Sequence, residues 1–250
     1  MLIFFSPAAM VSANCRDTLL ADTLPVTNTA LAPALKTHEF LPPAIMIGYG
    51  FLSLGNKAVR RLDFSVQADM SEDHPGFVTT ADNFIQYTPA AATFALGLAG
   101  LKGRSSFVDR SLSFALSMAI MNTAVVFLKR EVGRERPDGS STTSFPSGHT
   151  ALAFVGAEMM YQEYGYRSLW FGVAGYSLAT ATGILRVYNN VHWLSDIVAG
   201  AGFGILSTKL AYAIYPQLKK RIFGNRAPRL TFLPAIINKK TAFTLNYKFR

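Results

Sequence analysis

KREVGRERP (residues 129–137), PSGH (146–149) and LRVYNNVHWLSD (185–196) are three short polar clusters, each set at the boundary of an apolar segment. Between Lys129 and Asp196 they hold nearly every residue type that phosphoryl transfer needs. Placed at segment ends, Lys129, Arg136, Arg186, His149, His192 and Asp196 can converge on one face of a helical bundle, and that face is the expected active site. Phosphoryl transfer asks little covalent work of a protein and much electrostatic work, because the transferring group spreads negative charge over several oxygens. Three cations suit that demand.

Lys129 and Arg136 stand seven positions apart, about two helical turns, so both point one way if the helix continues as far as Pro137. Arg136 and Arg186 each offer a planar fork to phosphate oxygens, with Lys129 as a point charge. Taken singly, each has the ordinary reading of an exposed helix-end cation, and Arg130, Glu131, Arg134 and Glu135 are assigned to that reading. DGSSTTSFPSGHTALAF (138–154) passes from a polar loop into an apolar helix. Ser147 and Gly148 then sit at a helix start, where unpaired N–H groups and the positive end of the helix dipole favour an anion. Gly148 permits close approach and Ser147 can cap or donate. His192 and Asp196 are four apart, which stacks them on one helix face. Asp196 can take the proton on one ring nitrogen and leave the other free, although such a pair alone is equally a satisfied hydrogen bond. Which histidine attacks stays open on the residues alone.

The three clusters resemble the type 2 phosphatidic acid phosphatase (PAP2) and vanadium haloperoxidase superfamily, whose pattern is Lys-x6-Arg-Pro, Pro-Ser-Gly-His and Ser-Arg-x5-His-x3-Asp. The departure is Leu185 where the family usually has Ser. The resemblance implies an all-α bundle of about six core helices. It also implies His192 as a nucleophile forming a phosphohistidine, Asp196 as its orienter and His149 as general acid. Lys129, Arg136, Ser147, Gly148 and Arg186 would bind the phosphate. No metal or cofactor is expected, and vanadate is expected to inhibit.

The surrounding chain has 250 residues, half of them hydrophobic and 16% charged, between the habits of soluble and membrane-embedded proteins. The net charge of +9 attracts anions, but no nucleic-acid motif accompanies it, and no nucleic-acid partner is expected. A single cysteine, Cys15, excludes an intramolecular disulfide. Residues 1–13 read as a signal-like apolar segment without a basic start, 14–38 as a lead-in, 39–222 as the helical phosphatase domain and 228–250 as a tail. In that tail Phe243, Leu245, Tyr247 and Phe249 alternate with polar residues, the period of a strand, so a short C-terminal hairpin is expected.

Leu41 to Leu54 reads as a packed or re-entrant helix too short to span, and residues 56–83 as a solvated connection with short helical pieces. Phe84–Leu101, Ser111–Leu128 and Ser168–Leu185 are uncharged runs of about 18 residues, near the lower limit for a span. Two more, His149–Tyr161 and Ile197–Tyr215, are interrupted by Glu158 and Lys209, which weakens a lipid-facing reading. Gly200 and Gly204 have the spacing that lets helices approach closely. The sequence therefore points to a bacterial inner-membrane lipid phosphatase with a periplasm-facing site, acting on a lipid A, undecaprenyl pyrophosphate or phosphatidic acid type of substrate. The alternatives are a soluble periplasmic acid phosphatase, a vanadium haloperoxidase and a non-catalytic anion-binding membrane protein.

Overall fold

The computed structural model describes residues 37–223 and the backbone of two strands beyond them, 229–237 and 240–248. The expected signal segment, most of the lead-in and Cys15 lie outside the described residues. A 3-10 turn, Thr37–Phe40, leads into α1 (Leu41–Gly55), followed by α2 (Lys57–Asp73), α3 (Asp82–Ile85) and α4 (Thr88–Leu98). Then come α5 (Phe107–Val132), α6 (Gly148–Tyr164), α7 (Leu169–Tyr188), α8 (Leu194–Phe223) and the strands β1 (Arg229–Ile237) and β2 (Lys240–Lys248). The strands pair antiparallel from Arg229 with Lys248 to Ile237 with Lys240, the hairpin that the alternation suggested. The helix boundaries are written locally. Asn56 accepts from the amides of Ala58 and Val59 and so separates α1 from α2, Ser106 caps α5, and Ser168 caps α7. Gly133, at φ 59°, closes α5 in the left-handed region.

Helix α6 is the axis of the bundle: 13 of its 17 residues are buried, and α4, α5, α7 and α8 all pack on it. The glycine spacing on α8 has a definite partner. A Cβ on Gly200 would stand 2.5 Å from the Ser147 carbonyl oxygen, and one on Gly204 would strike the Ala151 carbonyl, so α8 lies directly on the first turns of α6. Gly202 faces the other way, where a Cβ would meet Pro43 O at 2.8 Å, and α1 packs there. Helix α1 is packed, the first of the two readings: over 15 residues it lies antiparallel against α8, Gly50 reaching Ala199 and Ser195 while Pro43 and Met46 meet Gly202. The buried charges are paired rather than lipid-facing. Glu158 binds Lys209 at 2.9 Å and accepts from Gln162 and Tyr176, while Glu163 binds Arg110 at 3.3 Å and accepts from Tyr212.

Two expectations need correction. Residues 57–73 form one continuous helix, α2, rather than short pieces; it is exposed along most of its length, as a solvated stretch should be, and is anchored at Asp63, the one residue of it that is buried, by Arg134. The uncharged run from Phe84 is also broken, since α3 ends at Ile85 and α4 begins with Pro89 in its first turn. Proline lacks the N–H that a helix interior uses and loses nothing at a helix start.

Candidate active site

All three clusters meet at one end of the bundle. Lys129 is in the last turn of α5, Arg136 in the α5–α6 connection, and Ser147 to His149 open α6. Arg186 is in the last turn of α7, His192 lies between α7 and α8, and Asp196 is in the first turn of α8. The amide of Ser147 donates to the Asp196 carbonyl at 3.0 Å, which joins the start of α6 to the start of α8. Each of these positions was expected at a helix boundary.

His192 is 2% exposed. Its Nδ1 lies 3.4 Å from Ser144 Oγ and 3.6 Å from Asp196 Oδ2, so the carboxylate acts on the ring within ion-pair range and the serine hydroxyl stands beside both. Asp196 Oδ2 also accepts from Ser144 Oγ at 2.5 Å and from the Trp193 amide at 3.0 Å. Its Oδ1 accepts from Arg134 Nη1 at 2.6 Å. With Nδ1 turned toward this network, Nε2 is the ring nitrogen free for chemistry. Burial pushes the His192 pKa down to about 4 against the opposing pull of Asp196. His149 is likewise pushed down to about 4, by burial first and then by the Arg186 charge. Its Nε2 lies 2.9 Å from Asn83 Oδ1.

Both imidazoles are therefore neutral near pH 7, and this has a consequence for stability. The unfolded chain takes up each proton near pH 6.5 and the folded chain near pH 4. Stability is thus fully present above pH 6.5 and is lost as pH falls toward 4, by on the order of 3 kcal/mol for His192. Thermal unfolding in detergent should show its midpoint falling across that window, with a shallower slope in His192→Asn. A midpoint that ignores pH there would contradict the buried neutral ring.

The cations differ in how much of each is already engaged. Lys129 Nζ donates to the Thr143 carbonyl at 2.5 Å. Arg186 donates through Nη1 to Asp82 Oδ2 at 2.6 Å, and its Nε is buried without a partner among the described residues. The Arg136 Nε is also buried and unpartnered among them. The Arg186 fork, held on one edge by Asp82, keeps its other N–H groups for phosphate oxygens. Gly148 leaves room beside them: a Cβ there would lie 3.9 Å from Lys129 Cε and 3.8 Å from Val125 Cγ1. Gly148→Ala should therefore fold normally and lose affinity for inorganic phosphate as a competitive inhibitor. Gly200→Ala should instead unfold or disorder the bundle end, because its Cβ meets backbone at 2.5 Å. Equal behaviour of the two variants in unfolding and inhibition assays would refute this distinction. Among the described residues no group of three or more His, Cys, Asp or Glu side chains is placed to hold a metal ion.

Sequence reasoning missed five residues here. Arg134, assigned to an exposed helix end, is 7% exposed and bridges two carboxylates, Asp196 and Asp63, the latter through Nη2 at 2.6 Å. Gly133 turns the chain just after α5 and carries Arg134 inward. Arg130, Glu131 and Glu135 are exposed as expected. Asp63, Asp82, Asn83 and Ser144 were not singled out because each meets its partner across a long stretch of chain with no motif to mark it.

Residues 110–220, which contain every residue of the three clusters, match the family model of the PAP2 superfamily. Over these residues the chain carries the PAP2 superfamily domain. It is 38% identical over 222 residues to a lipid A 1-phosphatase of Porphyromonas gingivalis, an alignment that takes in 86% of this chain. The chain spans about half, 49%, of that curated relative's length. A bacitracin transport permease protein, BcrC, of Bacillus licheniformis is 35% identical over 75 residues, 30% of this chain and 35% of the relative. Among solved structures, the transmembrane PAP2 type phosphatidylglycerolphosphate phosphatase of Bacillus subtilis superposes with a TM-score of 0.53 at 22% identity. That match covers 72% of this chain and 98% of the other, and the two share the PAP2 helical fold.

Proposed function

We propose that this chain is a metal-independent phosphatase that removes a phosphoryl group from a membrane lipid through a phosphohistidine on His192. The observation that carries the reading is the state of His192: buried, neutral, held on its Nδ1 side by Asp196 and Ser144, and under the electrostatic influence of Lys129 and Arg186. In the proposed reaction Nε2 attacks phosphorus, and the bond from phosphorus to the lipid oxygen breaks as Lys129, Arg136 and Arg186 hold the three remaining oxygens. A phosphoryl anion among these cations favours the protonated form of His149, which then gives its proton to the leaving alkoxide. Water attacks the phosphohistidine with His149 as base, and inorganic phosphate leaves.

The membrane part of the proposal rests on two observations. Helices α5 and α8 are long and apolar enough to cross a bilayer. Large apolar side chains are also exposed on several helices, among them Ile45, Leu52, Phe127, Val173 and Ile184, a surface that lipid covers and water does not favour. The similarity to a lipid A 1-phosphatase makes a glycolipid monophosphate the first substrate class to try. The decisive measurement is phosphate release by the purified full chain from lipid A phosphates, undecaprenyl pyrophosphate, phosphatidic acid and phosphatidylglycerol phosphate, with and without chelator. Release that survives chelation supports the reading. Loss of release on chelation sinks the metal-independent mechanism, and phosphate binding without release from any substrate would make the chain an anion-binding protein.

We place the site on the periplasmic side, since Lys102, Arg104, Arg167, Lys220 and Arg221 are exposed at the opposite end of the bundle and Lys/Arg-rich ends stay cytoplasmic. Helix α2 brings Lys57, Arg60 and Arg61 to the catalytic end, which narrows that asymmetry. A reporter fused after Ser140 should be active only in the periplasm, and one fused after Gly224 only in the cytoplasm. The reverse pattern would invert the orientation, and periplasmic activity of both would favour a soluble bundle.

A further inference from the structure

At the end of the bundle away from His192, the α4–α5 and α6–α7 connections come together around Tyr166. The guanidinium of Arg104 lies 5.9 Å and that of Arg167 5.6 Å from the centre of its ring. Arg167 Nε and Tyr166 Oη both donate to the Lys102 carbonyl, at 2.8 and 2.9 Å, which fixes the two loops to each other. Lys102, Arg104, Tyr166 and Arg167 are all exposed. None of the three cations has a carboxylate partner among the described residues, because the nearby Glu163 is buried and held by Arg110, Tyr212 and the Ser105 amide. Two exposed guanidinia over one ring, with the exposed Lys102 in the same connection and no carboxylate among the described residues to answer them, are an anion site by charge complementarity.

The anion is tied to an apolar tail by what adjoins it. Two residues after Arg167, Leu169 and Trp170 stand 71% and 76% exposed. Leu169 opens a groove of about 710 Å³ that runs down the outer side of α7 past Val173 and Tyr176 to Ile184, with Tyr161 of α6 as its other wall. From Leu169 to Ile184 the helix rises about 22 Å, more than the roughly 15 Å of hydrocarbon in one leaflet. A polar head at Arg104 and Arg167 would put an acyl chain at the mouth of this groove.

We propose that the α4–α5 and α6–α7 connections and the outer groove of α7 form a binding site for an anionic phospholipid of the leaflet opposite the catalytic site. The phosphodiester is held by Arg104, Arg167 and Lys102, Trp170 lies at the level of the headgroups, and one acyl chain lies along Leu169, Val173 and Ile184. The site is separate from the catalytic one. Helix α6 alone puts the two roughly 24 Å apart, between Gly148 and Tyr164. The ligand is a diester with no terminal phosphate to remove, so its binding does not depend on the proposed hydrolysis.

The test uses the full chain reconstituted in phosphatidylcholine vesicles that carry a small, equal fraction of either brominated phosphatidylglycerol or brominated phosphatidylcholine. Trp170 and Trp193 are the two tryptophans of the chain, so the quenching lost in Trp170→Phe belongs to Trp170. Brominated phosphatidylglycerol should quench Trp170 at a lower mole fraction than brominated phosphatidylcholine does. Arg104→Gln with Arg167→Gln should abolish that preference, with on the order of fivefold lost for each cation removed. Phosphate release should be unchanged in this double variant, which shows that it has folded. Equal quenching by the two lipids would overturn the headgroup site. A preference that survives the double variant would overturn its assignment to these arginines, and protection of Trp170 that grows with protein density would make the groove a contact between two copies of the chain.

Discussion

His192→Ala should lower phosphate release on the order of 10⁴-fold or more, because no other group at the site can take its place as nucleophile. The ring is 2% exposed and its Nδ1 side is occupied by Ser144 and Asp196, which leaves Nε2 as the nitrogen whose attack the substitution removes. His149→Ala should lose less, about 10²- to 10⁴-fold, and should lose most with the poorest leaving groups, since its part is to protonate the departing oxygen. Quenching the wild-type reaction under alkaline conditions that preserve phosphohistidine should leave label on His192. In His149→Ala the label should form slowly and also decay slowly, because the same imidazole serves both half-reactions. Vanadate should inhibit the wild type by taking the place of the five-coordinate phosphorus. Full activity in His192→Ala, or label on His149 instead, would exchange the two roles and sink the assignment made here.

How much of this site could be read from the sequence follows from how its residues find one another. Lys129 and Arg136, Ser147 and His149, and His192 and Asp196 are near neighbours within single turns or short connections, so residue type and spacing expose them. Their convergence was legible because each pair marks the end of an apolar run. The residues that hold them in place were not. Asp63 reaches Ser195 and Arg134, Asp82 reaches Arg186, and Asn83 reaches His149, all across contacts that only the folded chain creates. Segment 56–83 is mostly exposed, as its polar composition suggested, but nothing in its charge pattern marks Asp63 and Asp82 as the two residues that are buried. The opposite error was available at Glu158 and Lys209, where charge seemed to argue against a membrane. The two form a buried pair with each other, so they say nothing about what surrounds the bundle. Gly200 and Gly204 gave a weak signal that proved specific, since the faces they thin are those that bring α8 onto Ser147 and Ala151.

Arg134→Met should cost on the order of 3 to 5 kcal/mol of stability, the usual effect of removing one member of a buried ionic cluster. Arg134 is the cation shared by Asp63 and Asp196, at 2.6 Å from each, and the side chains of all three are at most 4% exposed. Its guanidinium also lies 5.5 Å from the centre of the ring of Trp193, the residue after His192. Without it two buried carboxylates lose their common counter-charge, and the Ser195 hydroxyl, which accepts from Arg134 and donates to Asp63, keeps only its bond to Asp63. The fall in melting temperature for a chain of this size should be on the order of 10 °C. Asp63→Asn should be milder, because Arg134 still has Asp196 and the amide oxygen can still accept from the Ser195 amide. Activity should separate the two variants further. Arg134→Met loosens Asp196, which then orients His192 poorly, so turnover should fall even at temperatures where the variant is fully folded, while substrate affinity changes little. Asp63→Asn should keep most of its turnover. An Arg134→Met chain with wild-type melting and wild-type turnover would return this arginine to the exposed helix end where its sequence neighbours Arg130 and Glu131 belong.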